Sequence, residues 1–143
     1  MCGGCACGKV RFAAQVDSDD AYLCHCRMCQ RATGSVSIAF RNMKGADVEW
    51  LTEPDWYDSS AIARRPYCAA CGTSLGFRYK ESPELDLTVA SFDDPSRFVP
   101  KSHFGAENIH RAWLNTEGLA EQFSDQCQKL ADRWRSAGAS PPE

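Results

Sequence analysis

The chain has 143 residues, a formal charge of −3, 43% apolar residues and 24% charged residues, the balance of a soluble globular domain with a modest core. It has no run of Lys or Arg to suggest a nucleic-acid partner, and its apolar runs of a few residues are far too short for a membrane span. The first residues, MCGGCACGKVRF, lack a basic segment followed by an apolar stretch, so no secretory signal is expected and a cytoplasmic location is.

Strand-like segments follow one another through the first two thirds: 9–16 (KVRFAAQV), 35–41 (SVSIAFR), 47–51 (DVEWL), 74–79 (SLGFRY) and 85–92 (LDLTVASF). Each is short, partly alternating and rich in β-branched or aromatic residues. Gly34, Asn42, Gly45, Pro54, Pro66, Gly72, Pro83 and Pro95 punctuate them. Strands without intervening helices predict a mainly β domain with antiparallel pairing. The tail differs. Leu119, Phe123, Cys127, Leu130 and Trp134 recur at helical spacing, which predicts an amphipathic helix over 119–137 with Thr116 as its cap and Gly138 as its stop. The expected organisation is a β domain over 1–116 and a helical extension over 117–143. That extension would pack on the same domain or on a partner, with a homodimer through the helix as one outcome. Cys127 is read as a small apolar member of the stripe, and the final SPPE is expected to fray.

Nine cysteines in a chain of this kind need a reason, because disulfides do not persist in the cytosol. Seven of them form three clusters: CAC (Cys5, Cys7), CHCRMC (Cys24, Cys26, Cys29) and CAAC (Cys68, Cys71). A tetrahedral metal with thiolate bonds of about 2.3 Å needs neighbouring sulfurs roughly 3.8 Å apart. In an extended segment residues i and i+2 share a face, so C-x-C presents two sulfurs to one ion, and C-x-x-C does so across a turn. Gly8 and Gly72 follow two of the clusters and ease such turns. Spacing alone leaves the grouping open, since Cys5 and Cys7 could share an ion with the middle cluster. The grouping that strands no complete C-x-x-C joins Cys5, Cys7, Cys68 and Cys71 in a closed, structural site.

The middle cluster then holds three ligands and an open position, the pattern of catalytic zinc. His25, between Cys24 and Cys26, should point away. His103 or His110 could close the site as a fourth ligand, and Cys2 is a further spare thiol. Zinc is the expected metal; iron or copper would also accept sulfur.

GGCACGKVRF, CHCRMCQRATGS and RRPYCAACGTSLGF, in this order, resemble the glutathione-dependent formaldehyde-activating enzymes, a family that includes centromere protein V. SFDDPSRFVPKSHF, with Trp113 after it, resembles the family's later segment, so the likeness runs from about residue 3 to residue 115. The resemblance implies a β-tent of small antiparallel sheets tied by zinc. It also implies two zinc ions: a structural one on Cys5, Cys7, Cys68 and Cys71, and one linked to activity on Cys24, Cys26 and Cys29. The implied activity is that of a carbon–sulfur lyase acting on the adduct of glutathione, or a similar thiol, with formaldehyde or another small aldehyde.

Zinc ligation deprotonates a thiol, and a thiolate adding to an aldehyde carbon gives a hemithioacetal, whose cleavage is the lyase step. Three thiolates already leave the zinc unit with a net negative charge, so a nearby cation would help it take a fourth. Arg27, Arg31, Arg64 and Arg65 flank the clusters and are candidates to bind the carboxylates of glutathione. His103 is the candidate proton donor, and Thr33, Gly34 and Ser35 are further candidates to touch the ligand. The alternative function is a non-enzymatic zinc module that carries a thiol compound or binds a protein.

Overall fold

The alternating segments become strands, and local hydrogen bonds decide where each one stops. A computed structural model describes residues 1–140; the last three residues of the SPPE stretch lie outside the described residues. The chain divides into two compact units, Met1–His110 and Arg111–Glu143.

The first unit carries β1 (Cys2–Gly4), β2 (Arg11–Ala14), β3 (Asp20–Cys24), helix α1 (Arg27–Thr33), β4 (Ile38–Lys44), β5 (Val48–Trp50), β6 (Asp55–Asp58), β7 (Ala63–Tyr67), β8 (Gly76–Tyr79), β9 (Glu84–Thr88) and β10 (Val99–Phe104). A small sheet has the order β1-β2-β5 and a larger one the order β10-β3-β4-β9-β8-β7-β6. The mainly β expectation holds, with small antiparallel sheets and a helix near the C-terminus. One pair departs from the antiparallel rule, because β10 lies parallel to β3, with His103 opposite Leu23 and Phe104 opposite Cys24. Two strands in one direction need a long return path, and most of the domain lies between these two.

The main core is built from the inward faces of both sheets. Phe12, Ala14, Ala21, Met43, Leu85, Leu87, Phe92 and Phe98 are buried together. Phe12 stands edge-on to Phe92 with ring centroids 5.2 Å apart, a favoured aromatic geometry. Gly3 lets β1 lie against this pair, since a Cβ there would sit 2.3 Å from the Phe12 ring. Two smaller clusters form around cysteines. Cys5 and Cys68 pack with Val10 and Leu75, and Cys24 and Cys29 pack with Phe40.

The second unit corrects the tail reading. The helix expected over 119–137 is shorter: α3 spans Gln128–Ser136, and a four-residue helix, α2 (Arg111–Leu114), precedes it. Gly118 adopts the left-handed conformation at φ 76°, so the chain turns where a helix from Thr116 would begin. Leu119 and Phe123 are therefore exposed and outside the helix. Cys127 is exposed rather than buried, because it is the extended cap residue of α3 and not a member of its apolar face. Leu130 and Trp134 do lie on α3, half-buried, and Gly138 ends it at φ 64°.

Candidate metal centres and the adjoining cavity

The first and third cysteine clusters meet. The ligand atoms of Cys5, Cys7, Cys68 and Cys71 all lie within 4.8 Å of one another. Cys5 and Cys7 Sγ are 3.5 Å apart, and Cys7 and Cys68 Sγ are 3.8 Å apart, close to the edge of a thiolate tetrahedron. Two matching turns create this geometry. The Gly8 amide donates to Cys5 O (3.0 Å) and the Gly72 amide to Cys68 O (2.7 Å), and both glycines have positive φ. The Val10 amide donates to Cys5 Sγ at 3.2 Å. Thr73 ties the halves together, its Oγ1 lying 3.1 Å from Cys71 Sγ and accepting from the Ala6 amide. Hydrogen bonding by the Thr73 side chain and amide lowers the Cys71 pKa to about 5.

The middle cluster forms a second centre. Cys24, Cys26 and Cys29 place their sulfurs within 4.8 Å of one another, and no histidine, aspartate or glutamate among the described residues joins them. Cys24 ends β3, Cys26 caps α1, and Cys29 lies in its first turn. The Cys26 sulfur accepts from the Cys29 amide at 3.4 Å and lies 3.6 Å from Cys24 Sγ. Gly105 makes room for this loop. It is in the left-handed conformation, and a Cβ there would be 2.8 Å from the Cys26 amide nitrogen.

Arg65 completes the electrostatics. It is only 1% exposed, and its Nη2 donates to Cys29 Sγ at 3.2 Å. Its guanidinium carbon sits 4.8 Å above the Phe77 ring, while Nε and Nη1 have no protein partner. A buried guanidinium needs an anion beside it, and the cysteine cluster is that anion. The hydrogen bond with Cys24 and the contact with Arg65 bring the Cys29 pKa down to about 6 against the pull of burial. Cys24 moves the opposite way, driven by its hydrogen bond with Cys29 and by burial, so the two share a proton.

The other candidates fall in different places. Strand alternation sends Arg64 to the opposite side from Arg65, where it stacks over Trp56 at 4.7 Å. Arg27 hydrogen-bonds Gln30, and Arg27 and Arg31 line a separate surface depression with Gly34, Ser35 and His110. Thr33 Oγ1 donates to Cys29 O, and Ser35 Oγ donates to Ser37 O. Cys2 is exposed on β1. His25 is buried and faces away from the cluster, with its Nε2 2.9 Å from Nδ1 of His103. Burial, then the neighbouring His103, lowers the His25 pKa.

Cys24, Cys26, Cys29, Arg65 and His103 all border one cavity of about 450 Å³. Sequence reasoning missed the residues of its far wall: Tyr22, Asn42 and Asp86. Asn42 Nδ2 donates to Asp86 Oδ1 at 3.0 Å. Burial raises the Asp86 pKa, and burial followed by the Asp86 charge raises that of Tyr22. No local pattern marks these three residues, because only the pairing of β3 with β4 and of β4 with β9 brings them together.

Residues 1–108 match the family description "Glutathione-dependent formaldehyde-activating enzyme". The chain belongs to this family. A curated relative, an uncharacterized lyase of Schizosaccharomyces pombe, is 31% identical over 77 residues, or 54% of this chain and 56% of that protein. The chain thus spans little more than half of the curated relative it matches. A crystal structure of a Rhodobacter sphaeroides protein shares the fold, with a TM-score of 0.58 at 21% identity, covering 72% of this chain and 99% of that one. Family membership and the lyase-named relative are consistent with an enzyme of the formaldehyde-activating type, with two cysteine clusters able to bind metal. No helix among the described residues is long and apolar enough to cross a membrane.

Proposed function

We propose that the protein is a zinc-dependent carbon–sulfur lyase that interconverts a glutathione-type hemithioacetal with its thiol and aldehyde. The observation that carries this reading is the three-cysteine centre at the wall of a cavity, beside a four-cysteine centre that has no need of a further ligand. Both donor sets fit the metal, since the sulfurs are near tetrahedral spacing and receive amide or guanidinium hydrogen bonds. The four-cysteine set would hold a structural ion. Cys24, Cys26 and Cys29 would hold a second ion, which when bound lowers the pKa of a thiol placed beside it.

The chain's own groups supply the rest of the chemistry. The Arg65 guanidinium offsets the negative charge of the cysteine cluster, so a fourth sulfur meets less repulsion. His103 borders the cavity and its Nδ1 is engaged by His25, which leaves Nε2 to exchange a proton with the adduct. In the cleavage direction Nε2 takes the hydroxyl proton, the oxygen lone pair forms the C=O bond, and the carbon–sulfur pair leaves with the sulfur. In the synthetic direction the sulfur attacks the carbonyl carbon and Nε2 returns the proton to oxygen.

Exchange spectroscopy by NMR on equilibrated glutathione and formaldehyde tests the reading. The metal-loaded protein should accelerate exchange between free and hydroxymethylated thiol, and Cys26→Ser should abolish the acceleration. Exchange at the uncatalysed rate with metal-loaded wild-type protein would refute it. A second reading, a thiol carrier or protein-binding module, draws on Trp113, Leu119 and Phe123, which stand exposed in the second unit. Tight glutathione binding without any acceleration would favour that reading.

A further inference from the structure

The cavity is larger and more apolar than a one-carbon aldehyde requires. At about 450 Å³ it is in the range of sites that enclose a whole small molecule. Phe40, half-buried Phe77 and Tyr22 form its aromatic floor beside the cysteine cluster. Its rim gathers exposed apolar side chains from four elements or turns: Met28 from α1, Ile62 from the β6–β7 turn, Tyr79 from β8 and Phe104 from β10. Scattered exposed apolar residues are ordinary. Four from separate parts of the chain around one opening are not, because each leaves apolar area in water that only a guest can cover.

The charges point the same way. The only Lys or Arg among the described lining residues is Arg65; its Nη2 is turned to Cys29, and its unpartnered Nε and Nη1 are buried out of a guest's reach. The wall carboxylate, Asp86, accepts from Asn42. The interior therefore suits neither the carboxylates nor the ammonium of a glutathione-like peptide, which would remain at the mouth in solvent. What the floor and rim match is the carbon substituent of the aldehyde.

Building on the lyase reading, we propose that this protein's aldehyde is an alkyl or aryl aldehyde of several carbons. Its apolar body lies against Phe40 and Phe77, and the adduct sulfur lies at Cys24, Cys26 and Cys29. Formaldehyde fills only the metal end of the cavity. Discrimination then comes from buried carbon, at about fourfold in affinity per methylene.

The test uses the metal-loaded full chain and stable thioether analogues of the adduct. S-methyl-, S-propyl-, S-hexyl- and S-benzylglutathione are titrated by calorimetry. Free glutathione is titrated in parallel against cobalt-loaded protein, where the sulfur–cobalt absorption added over that of the seven cysteine thiolates, the glutathione band, reports the thiol at the second centre. Affinity should rise at least a hundredfold from S-methyl to S-hexyl. Ile62→Asn, at a rim position 60% exposed and remote from the core, should flatten that slope while leaving the glutathione band unchanged. A flat or falling series with the glutathione band intact overturns this inference and leaves the lyase reading standing. Loss of the band overturns the lyase reading and, with it, the assignment of the apolar guest as an aldehyde.

Discussion

Replacing Arg65 by methionine removes the buried cation beside Cys29 at the second centre and keeps most of its volume. Arg65 Nη2 lies 3.2 Å from Cys29 Sγ, and a full charge pair at that distance is worth about 5 kcal/mol at an effective dielectric of about 20. Breaking a buried pair by deleting one partner costs about 3–5 kcal/mol, and the metal-loaded centre bears this cost because its thiolates cannot reprotonate. The metal-free protein has an escape. Cys29, held at a pKa of about 6, can take up a proton at pH 7 for about 1.4 kcal/mol. The cost of burying the two unpartnered guanidinium nitrogens is present with or without metal, so it cancels. The difference, about 2–3 kcal/mol, predicts roughly 100-fold weaker metal binding at the second centre. The four-cysteine centre should be unaffected. Competition with a chromophoric chelator at pH 7 resolves the two sites, and Arg65→Lys, which keeps a charge without the planar fork, should fall in between. Second-site affinity within threefold of wild type in Arg65→Met would refute the charge-compensation argument.

Three further outcomes follow from the geometry. Cys68→Ser, at a fully buried ligand position, should release one metal and unfold the first unit at ambient temperature, because a structural zinc contributes on the order of 10 kcal/mol; circular dichroism that keeps its native strand signal would contradict this. Gly105→Ala places a Cβ 2.8 Å from the Cys26 amide nitrogen at a φ of +67°. It should cost about 1–2 kcal/mol from the left-handed backbone alone, seen as a lower urea midpoint, and should loosen the second centre before the first. With the second centre empty and the four-cysteine centre still loaded with its metal, the Cys29 pKa is lowered from its ordinary 9.0 to about 6. Its stabilising contribution is therefore fully present above about pH 9 and is lost as the pH falls towards 6. Urea midpoints should rise across that window, and a flat profile would show that Cys29 is not held ionised.

The cysteine pattern made the two sulfur clusters legible, because C-x-C and C-x-x-C fix sulfur positions through local backbone geometry. Gly8 and Gly72 mark the two knuckles of the closed site in the sequence itself. Each of the five strand segments overlaps an observed strand, though β4 runs on to Lys44 and β9 begins at Glu84 and stops at Thr88. The strands that hold the second centre were the hardest to see. β7 reads ARRPY, with a proline and two arginines, and every residue of β10 is exposed, so neither shows an apolar alternation. Without β7 the alternation that turns Arg65 inward and Arg64 outward has no register. Without β10 nothing places His103 beside His25. The apolar spacing of the tail was real, but spacing says nothing of the left-handed turn at Gly118 or the extended cap at Cys127, and these confine the helix to Gln128–Ser136.

A crystal structure of the zinc-loaded protein with glutathione, with anomalous maps at the zinc edge and an independent sulfur count from X-ray absorption, would bear most directly on the second centre. The expected result is two metals per chain, with the glutathione sulfur completing the tetrahedron begun by Cys24, Cys26 and Cys29. His103 or another protein group fixed in that fourth position, with glutathione bound elsewhere or not at all, would contradict it.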